Sequence, residues 1–166
     1  MDFIIRKMKK KDIPQVQHVA KTSWHSTYEG IIPLAIQDNF LNSAYSDVNM
    51  KRRLKQSNIF VSEVSGKIVG FANFSPVSRD AAVELGAIYL CPDYQGYGIG
   101  TAFLKEGIEN LGAREIRLNV EKNNDIGKTF YHAKGFEIES EFDDNFDGHV
   151  LKTVRMVLKV REGMEI

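Results

Sequence analysis

The stretch CPDYQGYGIG, residues Cys91 to Gly100, decides how the rest of this chain is read. Three glycines alternate with large apolar residues, after a run that reads as a strand and before one that reads as a helix. Glycine is costly to order, so such a cluster needs a reason. Two phosphate-loop patterns fail here. A dinucleotide fingerprint would need a third glycine where Thr101 stands, and a P-loop would need a lysine that is absent. The stretch does match Q-x-x-G-x-G at Gln95, Gly98 and Gly100. Small residues at a helix start expose consecutive main-chain N–H groups beside the positive end of the helix, a seat for a pyrophosphate. A plain tight turn would use one or two glycines, and that reading stays open on this motif alone.

Outward from the loop, the order of elements is legible from periodicity. Phe3–Met8 reads as a strand, and Asp12 as the N-cap of a helix carrying Ile13, Val16, Val19, Ala20 and Trp24 to about Tyr28. Gly30 ends it, Pro33 opens the next helix, and a further piece covers Val48–Gln56. Ile59–Val64 and Lys67–Phe74 form a hairpin about Ser65-Gly66. Ala82–Leu90 is a strand in which Gly86 marks a bulge. A helix over Ile99, Phe103, Leu104, Ile108 and Leu111 follows the loop. Ile116, Leu118 and Val120 alternate as a strand, and Asn123-Asn124-Asp125 caps a helix through Ala133, closed by Gly135. Phe136–Phe142 and Val150–Val160 are the last strands, separated by an acidic turn holding Asp143, Asp144 and Asp147. The fold class is α+β, layered α/β/α, with a mixed and mostly antiparallel sheet flanked by helices in one domain over residues 1–166.

Composition narrows the function. Twenty-two basic residues balance 22 acidic ones, so the excess expected of a duplex nucleic-acid binder is missing and no direct nucleic-acid contact is expected. The Lys9-Lys10-Lys11 and Lys51-Arg52-Arg53 clusters read as solvated helix ends. The single cysteine, Cys91, leaves no internal disulfide. No His/Cys spacing suggests a metal site. No apolar run reaches the roughly 20 residues of a membrane span and no leader precedes Phe3, so the expectation is a cytoplasmic protein without membrane contact.

Asn124, Gly127, Phe130, Tyr131, Gly135 and Phe136 give N-x-x-G-x-x-F-Y-x-x-x-G-F. Paired with Q-x-x-G-x-G at this spacing, the pattern resembles the GNAT superfamily, the Gcn5-related N-acetyltransferases, over most of the chain. The resemblance implies acetyl-CoA as cofactor, with its pantetheine arm in the gap between a bulged strand and a splayed parallel neighbour. The arm would pair with Ile88, Tyr89 and Leu90, and the pyrophosphate would rest on amides of Gln95, Gly96, Tyr97, Gly98, Ile99, Gly100 and Thr101. Asn124 and Asn119 would contact the cofactor, and Tyr131 would stand beside its sulfur.

Acetyl transfer to an amine asks for a base, donors for the developing oxyanion and an acid for the departing thiolate. The resemblance implies Tyr131 as the acid and Glu84, directly or through water, as the base. Tyr131 also reads as a packed helix tyrosine, and Glu84 as a surface or salt-bridged strand residue. Cys91 has no His/Asp arrangement about it and reads as an inert strand-end thiol.

The joint W-x-x-x-Y-x-G-I-I-P, from Trp24 to Pro33, overhangs the acceptor end in this family. Trp24, Tyr28 and Glu29 suit a cationic amine, by ring faces and by charge; the two aromatics serve equally as a staple of the helical joint. With E-L-G-x-I-Y-L-x-P-x-Y-Q-G-x-G-I-G, this joint resembles the bacterial Pai-type polyamine acetyltransferases, which act on spermidine and spermine. A protein N-terminus, an aminoglycoside, or a non-catalytic acyl-CoA-binding regulatory role are the alternatives. An exposed final strand offers a route to a homodimer.

Overall fold

The computed structural model describes residues Met1–Ile166. Seven strands form a sheet in the order β1-β2-β3-β4-β5-β7-β6. They are β1 (Ile4–Lys7), β2 (Asn58–Val64), β3 (Lys67–Phe74), β4 (Ala82–Leu90), β5 (Glu115–Glu121), β6 (Glu137–Phe146) and β7 (His149–Lys159). Only β4 and β5 run parallel. The helices are α1 (Ile13–Thr27), α2 (Leu34–Ala44), α3 (Asp47–Gln56), α4 (Ile99–Lys105) and α5 (Asp125–Ala133).

Alternation along the strands sorts two cores onto the two faces. Ile116, Leu118 and Val120 of β5 meet Phe103, Leu104 and Phe136 on one side. On the other, Ala87 and Phe71 meet Val16, Val19, Ala20 and Trp24 of α1. Burial of these apolar faces is the main driving force of the fold. Helix α4 passes into a π-helical turn, Glu106–Asn110, in which Leu111 N–H donates to Glu106 O at 3.1 Å. The widened turn keeps Ile108 and Leu111 packed beneath the same core. Hairpin β2–β3 turns on Ser65 (φ 50°) and Gly66 (φ 78°), the left-handed pair of a tight hairpin.

Four expectations from the sequence are corrected. Asp12 occupies the N-cap position of α1 but its side chain caps no helix N–H: the carboxylate accepts from Arg6 at 2.7 and 3.0 Å and from Lys9 N–H at 2.7 Å. That pairing, with the Arg6 hydrogen bond as the largest influence, holds its pKa below the ordinary carboxylate value. Arg53 is not a solvated helix end: it donates to Asn73 Oδ1 at 2.9 Å and lies 4.5 Å over the Tyr45 ring. The acidic turn shrinks to Asp147-Gly148, because Asp143 and Asp144 join β6 opposite Lys152 and Leu151. Phe146 anchors that extension against Phe40 at 4.9 Å. Finally, the last strand β7 is interior, paired on both sides, and the free edge belongs to β6.

Candidate active site

The bulge foreseen at Gly86 is present. Asn73 pairs with Ala87 and Phe74 with Leu85, which leaves Gly86 as the extra residue. Next to it the parallel ladder stops. β4 and β5 pair only at Ala82–Glu115, Val83–Ile116 and Glu84–Arg117. From Leu85 onward β4 keeps its partner β3 but has none on the β5 side, so the two strands part. A cavity of about 610 Å³ fills the gap, lined on β4 by Leu85 to Leu90 and on β5 by Leu118, Asn119 and Val120. An unpaired strand edge facing a cavity can accept an extended ligand as a surrogate strand.

The glycine loop closes one end of this cavity through Gln95, Gly96, Gly98, Ile99, Gly100 and Thr101. Every main-chain amide from Gly96 to Thr101 is without an acceptor in the protein. Gly96 and Gly98 have φ of 84° and 87°, left-handed values that glycine adopts without strain, and both positions face open space. Gly100 has a different reason: a Cβ there would stand 3.0 Å from the Phe130 ring, so it lets α4 approach α5. Tyr97, half exposed, contributes its amide to the run but does not line the cavity. A row of unpaired amides at a helix start, with side chains removed from the approach, fits an anionic pyrophosphate. Metal is not required for that seat.

Opposite the loop, α5 presents Tyr131 into the cavity. Its ring packs edge-on against Phe130 and Phe136, each at 5.5 Å, and its hydroxyl has no hydrogen-bond partner in the protein. Burial pushes the phenol pKa well up, so the group keeps its proton at neutral pH and above. Asn124 caps α5, its Oδ1 accepting from Gly127 N–H at 3.0 Å. A side chain at Gly127 would meet that Asn124 amide at 2.7 Å, so the N-x-x-G spacing is first a helix-capping device. The Asn124 amide group remains free to donate. Lys134, one turn beyond Tyr131, also lines the cavity and escaped the sequence reading. Its only signal is the i, i+3 spacing that puts it on the face of Tyr131.

Glu84 is not brought into the cavity. Its side chain, 48% exposed, forms an ion pair with Arg155 of β7. Arg155 also donates to Asn119 Oδ1 at 2.9 Å and lies 3.4 Å from a Glu139 oxygen. The salt-bridge reading of Glu84 describes the resting structure. Cys91 makes no disulfide, and burial pushes its thiol pKa up, against a nucleophilic role.

On the acceptor side the aromatic residues divide. Trp24 is core: it stacks on Phe40 at 4.6 Å, is 6% exposed and does not line the cavity between β4 and β5. The proposed ring-face contact with an amine therefore fails for Trp24, whose staple role prevails. Tyr28, one turn on, does line the cavity together with Tyr89 and Tyr131. Glu29 faces elsewhere, into a groove of about 880 Å³ at the α1–α2 joint that includes His25, Gln37 and His149. Ser26 borders both spaces.

Residues 55–138 match the family model described as an acetyltransferase (GNAT) domain. The chain is 28% identical over 155 residues to the spermidine N(1)-acetyltransferase of Thermoplasma acidophilum, a match covering 88% of this chain and 95% of that protein. It is 33% identical over 151 residues to the uncharacterized N-acetyltransferase YuaI of Bacillus subtilis, covering 86% and 84%. The crystal structure of the T. acidophilum PaiA N-acetyltransferase in complex with coenzyme A superposes with a TM-score of 0.85 at 25% identity, over 96% of this chain and 100% of that one. The chain belongs to the GNAT acetyltransferases. It is an acetyl-CoA-dependent N-acetyltransferase, and the parted strands and bare amides fit coenzyme A. No helix is long and apolar enough to cross a membrane.

Proposed function

We propose that the acceptor is a primary amine, most specifically a polyamine or another small cationic amine, acetylated by direct attack in a ternary complex. The observation that carries the chemistry is the unpartnered Tyr131 hydroxyl in the cavity between the parted strands. The acceptor class is supported by Glu29 and the cation-friendly groove beside the cavity, and by the likeness to a spermidine N(1)-acetyltransferase.

The main-chain amides from Gly96 to Thr101 hold the pyrophosphate, the Gln95 N–H being already bonded to Pro92 O at 3.3 Å, and the free edge of β4 at Ile88, Tyr89 and Leu90 takes the pantetheine arm. Asn124 and Asn119 donate or accept at the walls. Bound acetyl-CoA supplies an acetyl thioester. The free edge of β4 at the Gly86 bulge makes a main-chain N–H available to an oxyanion. Tyr131 Oη holds the proton that the leaving thiolate takes up. Tyr28, from the far wall, borders the route of the amine. Glu84 would act as base only after releasing Arg155, so the proton of the ammonium passes to water unless that pair opens.

Thiol release from acetyl-CoA, measured across polyamines, N-terminal peptides and aminoglycosides, tests this reading. The expected result is amine-dependent release with kcat/KM highest for polyamines. Preference for a peptide or an aminoglycoside would overturn the acceptor assignment, and release indifferent to any amine would overturn the direct-attack scheme.

A further inference from the structure

Direct attack needs a destination for the ammonium proton, and Glu84 is tied to Arg155. Two carboxylate side chains of the molecule are buried, Asp12 and Glu121. Asp12 is paired with Arg6, whereas Glu121, 7% exposed, forms no ion pair. Its oxygens are held by one neutral neighbour: Asn123 N–H donates to Oε2 at 2.6 Å and Asn123 Nδ2 to Oε1 at 3.3 Å. Two of about four acceptor sites on the carboxylate are thus used. A buried charge balanced only by neutral donors is costly to keep in a fold.

Glu121 closes β5, beyond the point where β4 leaves it. Alternation puts it on the face of Asn119, away from Ile116, Leu118 and Val120. Asn119 lines the catalytic cavity, as does Tyr28 at the end of α1. Burial raises the Tyr28 phenol pKa, and the nearby Glu121 charge adds to the rise. The charged groups around Glu121 are engaged elsewhere. Lys122 pairs with Glu141 of β6, and Arg155 of β7 with Glu84 and Glu139. Lys152 alternates to the other face of β7. Thr153, directly opposite, donates its hydroxyl to Leu151 O at 3.4 Å. Tyr89 of β4 adds only a neutral phenol beside Tyr28.

We infer that Glu121 is the terminal acceptor of the ammonium proton, delivered through water along the wall formed by Asn119 and Tyr28. The inference rests on the direct-attack reading and completes it. The ammonium gives one proton to Glu121 through water and attacks the thioester carbonyl as the free amine. The C–N bond forms and the C–S bond breaks, and the thiolate takes the Tyr131 proton. The second nitrogen proton restores Tyr131, and Glu121 later releases its proton to solvent. Acting through water, Glu121 stands outside the reacting atoms.

The test follows spermidine-dependent thiol release against pH in the wild type, Glu121→Gln and Glu121→Asp, with coenzyme A affinity measured by calorimetry. In the wild type, kcat/KM for spermidine should be level between about pH 7 and 9, because a carboxylate takes the proton. In Glu121→Gln it should fall roughly a hundredfold at pH 7, the low end of what a positioned base contributes. It should then climb about tenfold per pH unit toward the amine pKa near 10, where free amine needs no base. Glu121→Asp should keep a level profile at lower height. A Glu121→Gln profile parallel to the wild type overturns the assignment, as does a climbing Glu121→Asp profile with coenzyme A affinity intact. Either result leaves the acetyltransferase reading standing. Absence of amine-dependent release from the wild type overturns the direct-attack reading, and this inference with it.

Discussion

The cavity between β4 and β5 and the groove at the α1–α2 joint lie on either side of one helical turn, yet they are built from different materials. The cavity binds with the main chain: an unpaired strand edge, and amides from Gly96 to Thr101 that have no acceptor in the protein. The groove is walled by side chains and a helix end: Glu29, Gln37 and the last turn of α1. A main-chain site depends on backbone geometry and tolerates side-chain variation. A side-chain site can be retuned by single substitutions. The first suits a shared cofactor and the second an acceptor that differs from one relative to another.

That contrast is broken most severely at Tyr131, the side chain proposed to hold the proton for the leaving thiolate. Tyr131→Phe is expected to lower kcat by about a hundredfold or more, the usual worth of a positioned acid, while KM for acetyl-CoA stays near its wild-type value. Because burial raises the phenol pKa, the protonated form persists to higher pH, so the wild-type alkaline limb should fall only above about pH 10, where free tyrosine ionises. Tyr131→Phe should abolish that limb. Rate-against-pH profiles check both, and an unchanged kcat removes Tyr131 from the mechanism.

Gly98→Val attacks the main-chain site itself. Nothing lies within 4 Å of the added Cβ, so the core is spared, but φ of 87° is unfavourable for a branched residue. Either the turn shifts or the amides are shielded. The expected outcome is a rise of about tenfold or more in KM for acetyl-CoA, with a smaller change in kcat at saturation. Calorimetric titration with coenzyme A measures the same loss directly. Equal affinity would show that these amides are not the phosphate seat.

Glu84→Gln should have the smallest effect. With the carboxylate already tied to Arg155 on an exposed face, kcat is expected to fall by less than about fivefold, in keeping with a surface ion pair. A hundredfold fall, measured with a saturating polyamine, would return Glu84 to the role of base. It would also show that the Arg155 pair opens during turnover.

The regions differ in how far they could be read from the chain. β4 was bounded at Ala82 and Leu90 by periodicity alone, with the Gly86 bulge marked by a glycine in a strand. These signals are local: a strand's alternation and a loop's glycines are written in consecutive residues. Asp12 stands at the N-cap position, yet its carboxylate serves Arg6 of another element, and a capping residue looks the same in sequence whether it serves a helix or a guanidinium. Trp24 was offered to an amine because nothing nearby in sequence announces Phe40 and Phe146 as its neighbours. The groove is marked in sequence only by its joint, Trp24 to Pro33, and not by Gln37. Gln37 reads as an ordinary helix polar residue until its amide is seen bridging Tyr28 and Ile32.

By itself the sequence determined the order of elements, the bare loop at Gly96–Thr101 and the tyrosine that follows it at a set spacing, since each depends on contacts within a few residues. Tertiary structure alone decided that β4 and β5 separate after Glu84, that Glu84 is paired with Arg155, and that Gln37 bridges Tyr28 and Ile32 with its Oε1 buried and unpartnered. Those outcomes are set by residues far apart in the chain, whose encounter depends on how whole faces pack and which polar groups burial leaves without partners.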